Sequence, residues 1–194
     1  MSALTIYPDN EPQHGELYTD FTAIQKQLNN IGVQFERWEG ASTFERWERA
    51  CTIAADVDQE SILAAYAESI DRLKQQHDFQ SVDVIKLNPD HPEKDTFRQK
   101  FLAEHIHDDF EVRFFVKGRG LFFLHVDNNV YAILCEQNDL ISVPANTKHW
   151  FDMGENPSFT CIRLFTKPDG WVADFTGSDI AKTFPTLDQY VAEL

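Results

Sequence analysis

A chain of 194 residues, 42% of them apolar and with 16 Phe to fill an interior, can bury one sizeable core, which excludes wholesale disorder. Its 17 Lys plus Arg against 32 Asp plus Glu leave a net charge of -15, repelled by phosphate backbones and acidic headgroups, so neither nucleic acid nor a membrane surface is an expected partner. No run approaches the ~20 apolar residues of a membrane span, the opening residues lack a signal pattern, and Cys51, Cys135 and Cys161 form no C-x-x-C pair, so a cytoplasmic protein with buried free thiols is expected.

Phe21, Ile24, Leu28 and Ile31 recur at helical spacing behind Thr19-Asp20 and stop at Gly32, predicting a short amphipathic helix. Val33 to Trp38 alternates like a strand. Asp56 or Asp58 then caps a second helix, whose Ile62, Leu63, Tyr66, Ile70 and Leu73 make one apolar stripe running to about His77. Val82 to Leu87 reads as a strand, residues 88–92 as a loop, and Pro92 to about Phe101 as a short helix. From His105 the texture changes to short apolar runs separated by Gly, Asn and Asp turns. Runs at 111–117, 121–126, 130–135, 140–143, 149–153 and 158–165 predict antiparallel strands of a sandwich or barrel. Thr186 to Leu194 suggests a terminal helix. With no repeat or linker to divide it, the chain is expected to form one domain over 1–194: a helical part (1–100) packed on a barrel core (101–170), then a C-terminal segment (171–194).

The chemistry concentrates in HIHDDFE. His105, His107 and Glu111 occupy odd positions, so an extended segment points all three the same way. Two imidazoles and a carboxylate suit Fe, Ni, Mn or Zn better than Ca or Mg. His149, in PANTKHWFDMG, is the candidate fourth ligand, because an antiparallel barrel can return a later strand beside the first. Arg113, two residues beyond Glu111, shares its strand face and points inward, either to bind an anionic substrate or to pair structurally with a carboxylate. The bland readings go to the other residues. His125 serves the sheet, His14, His77 and His91 are exposed, Glu104 is solvated, and Cys135 and Cys161 are small core side chains.

Gly118 after the first cluster and Pro144 five residues before His149 resemble the two motifs of the cupin superfamily, over about residues 105–154. Gln99, Asn138, Asn146 and Met153 depart from that pattern. Asn138 and Asn146 replace glycines, and Asn best tolerates the left-handed backbone such turns need. The resemblance implies a mainly β cupin double-stranded β-helix, a jelly-roll barrel whose helices come mostly from the N-terminal half.

Within the cupins, HIHDDFEVRFFVKGRGLF, VPANTKHWFDMG and the strand containing Arg163 resemble the acireductone dioxygenase family, and the likeness extends over most of the chain. It implies that His105, His107, Glu111 and His149 hold one Fe(II) or Ni(II) ion per chain. It places Arg113 and Arg163 in the substrate pocket and Phe101, Phe151 and Trp171 along an apolar wall for a methylthioalkyl tail. The implied reaction, in methionine salvage, is cleavage of the acireductone 1,2-dihydroxy-5-(methylthio)pent-1-en-3-one by O2. Iron would give formate and 4-methylthio-2-oxobutanoate, and nickel formate, CO and 3-methylthiopropanoate. A monomer is expected. The rival readings are a metal-dependent sugar isomerase on the same barrel and a non-enzymatic cupin that binds a small ligand.

Overall fold

Between residues 111 and 165 every predicted apolar run forms a strand, because each is bounded by residues able to turn the chain. Asn138 (φ 73°) and Asn146 (φ 63°) both occupy the left-handed region, as their replacement of glycine anticipates. Gly118 (φ 77°) is obligatory for a second reason, since a Cβ there would run into the Ser158 carbonyl. The computed structural model describes residues 1–38, 57–170 and 172–194. Cys51, Asp56 and Trp171 lie outside the described residues.

Twelve strands are present among them. They are Ala3–Pro8 (β1), Glu16–Tyr18 (β2), Gln34–Arg37 (β3), Ser81–Leu87 (β4), His105–Ile106 (β5) and Glu111–Lys117 (β6). Arg119–Val126 (β7), Asn129–Glu136 (β8), Asp139–Val143 (β9), Lys148–Asp152 (β10), Phe159–Phe165 (β11) and Asp174–Phe175 (β12) follow. They assemble into two antiparallel sheets, β12-β5-β10-β7-β8-β1-β2 and β3-β9-β6-β11-β4, in a mainly β jelly roll. β1 lies along β8 through six residue pairs, an association that its own short sequence does not announce.

Both faces of the central strands are covered, so these strands read as nearly continuous apolar runs rather than as alternations. Phe35, Phe115, Phe122, Phe151 and Cys161 fill the space between the sheets. Val112, Phe114, Ile162 and Leu164 face outward beneath Ile62, Tyr66, Ile70 and Leu73 of the N-terminal helices. On the other sheet Leu121, Phe123 and Trp150 meet Leu187 and Tyr190 of the terminal helix.

Asp20 caps the helix Phe21–Asn30 (α1) by accepting from the Ala23 amide, and Thr186 caps Leu187–Glu193 with Gln189 completing the reciprocal box. The helix expected over 58–77 is instead two: Gln59–Ala65, capped by Asp58, and Ala67–His77. The break falls at Tyr66 (φ -110°, ψ 13°), whose ring stands edge-on to Phe114 with centroids 4.9 Å apart. Packing on a curved sheet here overrides a continuous helical period. Lys94–Leu102 forms the helix that carries Phe101, and no described helix is long and apolar enough to cross a membrane.

Candidate metal centre

The short strand β5 ends at Ile106, and the chain then crosses from one sheet to the other over residues 107–110 before re-entering as β6 at Glu111. His105, His107 and Glu111 therefore do not share one face of a single extended strand, as the odd-position spacing suggested. They converge because the crossover spans the barrel mouth and the inner faces of both sheets look into the same space. His149 joins them from β10, where it is the direct antiparallel partner of His105.

All four side chains are buried. The imidazole centroids are 4.4 Å (His105–His149), 5.0 Å (His105–His107) and 5.1 Å (His107–His149) apart, and the three histidines present ligand atoms all within 4.8 Å of one another. Each Nδ1 lies against a backbone carbonyl: Ala103 at 2.7 Å for His105, Val172 at 2.8 Å for His107 and Thr147 at 2.8 Å for His149. A carbonyl oxygen only accepts, so each Nδ1 must carry the proton. The Nε2 lone pairs are thus all free for an ion, the tautomer a metal-binding imidazole requires. A Glu111 oxygen stands 3.6 Å from the His107 Nε2.

The electrostatics favour the same states. Burial lowers the basicity of His105 and drives His149 down to about 3, keeping both rings neutral. Burial alone would raise the Glu111 carboxyl, but the Arg113 guanidinium, with His107 and His149 nearby, outweighs it and holds the group at about 2. Neutral nitrogens around an ionised carboxylate form a donor set that fits a divalent first-row transition ion.

Arg113 is buried, with its Nε donating to the Glu111 carboxylate. Its guanidinium carbon lies 4.7 Å from the Phe151 ring centre, 5.3 Å from Phe122 and 5.5 Å from Phe101. The pairing with a carboxylate is therefore present, and the buried Nη1 has no hydrogen-bond partner among the described residues. Arg163 is the cross-strand partner of Arg113 and shares its face. Its own guanidinium, however, is gripped in bidentate fashion by Asp83 at 2.9 and 2.7 Å. Burial would weaken the Arg163 cation, but the Asp83 pair more than offsets this and raises its pKa.

Phe151 sits two residues from His149, buried against Phe122 at 4.7 Å, and Phe101 meets it edge-on at 6.2 Å. Cys135 and Cys161 are buried free thiols in the sheet interior. Glu104 is a correction: it is buried rather than solvated, bonded to His125 Nδ1 at 2.7 Å and to the Thr176 hydroxyl at 2.6 Å. Strand alternation turns it away from His105 to the opposite face, where a polar cluster satisfies it. The three carbonyls that orient the imidazoles had no sequence signal, because a main-chain oxygen has no residue identity.

The sequence profile of the ARD/ARD' family matches residues 9–173. The chain is 55% identical to the acireductone dioxygenase of Methylococcus capsulatus over 98% of each chain. It is 52% identical to that of Hahella chejuensis over the full length of both. Among solved structures it resembles the acireductone dioxygenase from Bacillus anthracis with a cadmium ion in its active centre. The TM-score is 0.76 at 27% identity, over 90% of this chain and 98% of that one.

Proposed function

The chain belongs to the ARD/ARD' family of acireductone dioxygenases, and on that premise we propose that it cleaves 1,2-dihydroxy-5-(methylthio)pent-1-en-3-one with O2 in methionine salvage. With iron the products are formate and 4-methylthio-2-oxobutanoate. With nickel they are formate, CO and 3-methylthiopropanoate. The reading makes the chain a cytoplasmic monomer of one domain, working on a small molecule.

One observation carries it: three buried imidazoles, each with Nδ1 committed to a carbonyl, surround the same space as an ionised carboxylate. His105, His107, His149 and Glu111 would hold one Fe(II) or Ni(II), which when bound supplies Lewis-acid and redox chemistry. The unpartnered Nη1 of Arg113 donates to an anionic enediolate oxygen, and its charge offsets the repulsion that the acidic chain exerts on such a substrate. Phe101, Phe122 and Phe151 around that guanidinium exclude water and so strengthen the contact. Arg163 adds positive potential from the neighbouring strand, moderated by Asp83. Phe101 and Phe151 supply an apolar wall for the methylthioalkyl tail. A sugar isomerase would need hydroxyl-reading groups where these phenyl rings stand.

The test is aerobic loss of the enediolate absorbance, with the protein loaded with Fe(II) or with Ni(II) and the products identified. Acceleration with the metal-specific product sets is expected, and no acceleration with either ion overturns the proposal.

A further inference from the structure

The three imidazoles are oriented in two different ways. His105 and His149 bond carbonyls only two residues back in their own segments, so each strand orients its own ring. His107 instead depends on Val172, 65 residues away. Something must hold that distant carbonyl in place. The turn leading to it is built by Gly170 N–H donating to the Lys167 carbonyl at 3.3 Å and Val172 N–H to that of Asp169 at 3.0 Å.

Asp109 anchors this turn from within the 107–110 crossover. One of its oxygens accepts from the Thr166 amide at 2.8 Å and the Lys167 amide at 3.0 Å. The other accepts from the Thr166 hydroxyl at 2.7 Å and the Phe110 amide at 2.7 Å. The carboxylate is buried, and Gly170 closes so tightly over it that a Cβ there would run into the Asp109 oxygen. A separate tie, Lys167 Nζ to Asp108 at 2.7 Å, is exposed and adds little.

We propose that Asp109 is a positioning residue: by clamping residues 166–170 against the crossover it sets the Val172 carbonyl, whose own amide is tied to the Asp169 carbonyl, and this fixes the tautomer and ring orientation of His107 and no other histidine of the centre. The inference rests on the reading of His107 as a metal ligand. A charged carboxylate suits the task because it accepts four donors at once, whereas Asn in either orientation would turn its NH2 toward a backbone N–H, that of Phe110 or those of Thr166 and Lys167.

The experiment uses the full-length protein, first metal-free and then titrated with Ni(II) against a chelator, in Asp109→Asn and, acting from the other side of the clamp, Gly170→Ala. In imidazole-resolved NMR of the metal-free protein, the His107 Nδ1–H signal should lose its protection in both variants while those of His105 and His149 stay unchanged. Nickel affinity should fall about 10- to 100-fold, the usual cost of losing an outer partner of a ligating histidine. If Asp109→Asn fails to fold, Gly170→Ala and Thr166→Val, which removes only the hydroxyl donor, carry the same test. An unmoved His107 signal, or equal loss at all three histidines, overturns the clamp. His107→Ala tests the parent reading separately, because nickel binding as tight as in the unaltered chain would remove His107 from the centre whatever the clamp does.

Discussion

His149 and His105 are direct cross-strand partners on β10 and β5, their ring centroids 4.4 Å apart. The pairing joins the last donor in the chain to the first, so the centre cannot assemble until β10 has docked. His149→Ala should abolish stoichiometric Ni(II) or Fe(II) retention and activity together, since the remaining donors lose one vertex of their set. Metal analysis of the purified variant beside its turnover checks this. Full metal content with undiminished turnover would remove His149 from the site.

Arg113→Ala should separate metal binding from substrate handling. The metal-free variant leaves Glu111 buried without its guanidinium, at a cost of about 3–5 kcal/mol. A divalent cation would compensate the same carboxylate, so nickel should restore most of the lost melting temperature. In the loaded variant kcat/KM should fall about 10²- to 10³-fold, the loss typical of a donor aimed at developing charge. Calorimetry with and without nickel, alongside steady-state kinetics, measures both effects.

Arg163→Ala should cost less activity than Arg113→Ala. Asp83 already occupies the Arg163 guanidinium with two hydrogen bonds, leaving less of its charge to reach a substrate. Asp83→Asn supplies the complementary measurement: it releases that constraint and should lower KM for the anionic substrate, while an unchanged KM would place Arg163 outside the substrate's field.

Tyr190 makes stability fall at alkaline pH. Its hydroxyl lies 2.7 Å from the Thr5 hydroxyl, and burial raises its pKa from 10.0 to about 12. The unfolded chain therefore releases this proton earlier than the folded one, so the contribution is complete below about pH 10 and is lost as the pH rises toward 12. The full loss amounts to roughly 2–3 kcal/mol. Tyr190→Phe should be slightly less stable at pH 8 but show a shallower decline between pH 10 and 12, as denaturant titrations at a series of pH values would reveal.

Local information determined much of this protein. Turn residues at 118, 138 and 146 bracket the strands, Asp20, Asp58 and Thr186 start helices, and the histidines and glutamate of HIHDDFE with His149 mark the centre, because backbone preference and donor chemistry belong to individual side chains. Tertiary structure alone decided the rest. It broke the helix at Tyr66 against Phe114, buried Glu104 with His125 and tied Arg163 to Asp83. It also brought the Val172 carbonyl, anchored through Asp109, to His107. Strands of two residues such as β5 and β12 are too short for a period to show, and a carbonyl's partner depends on where the chain returns. Residue identities carry the donors, while the folded path decides which way each donor faces.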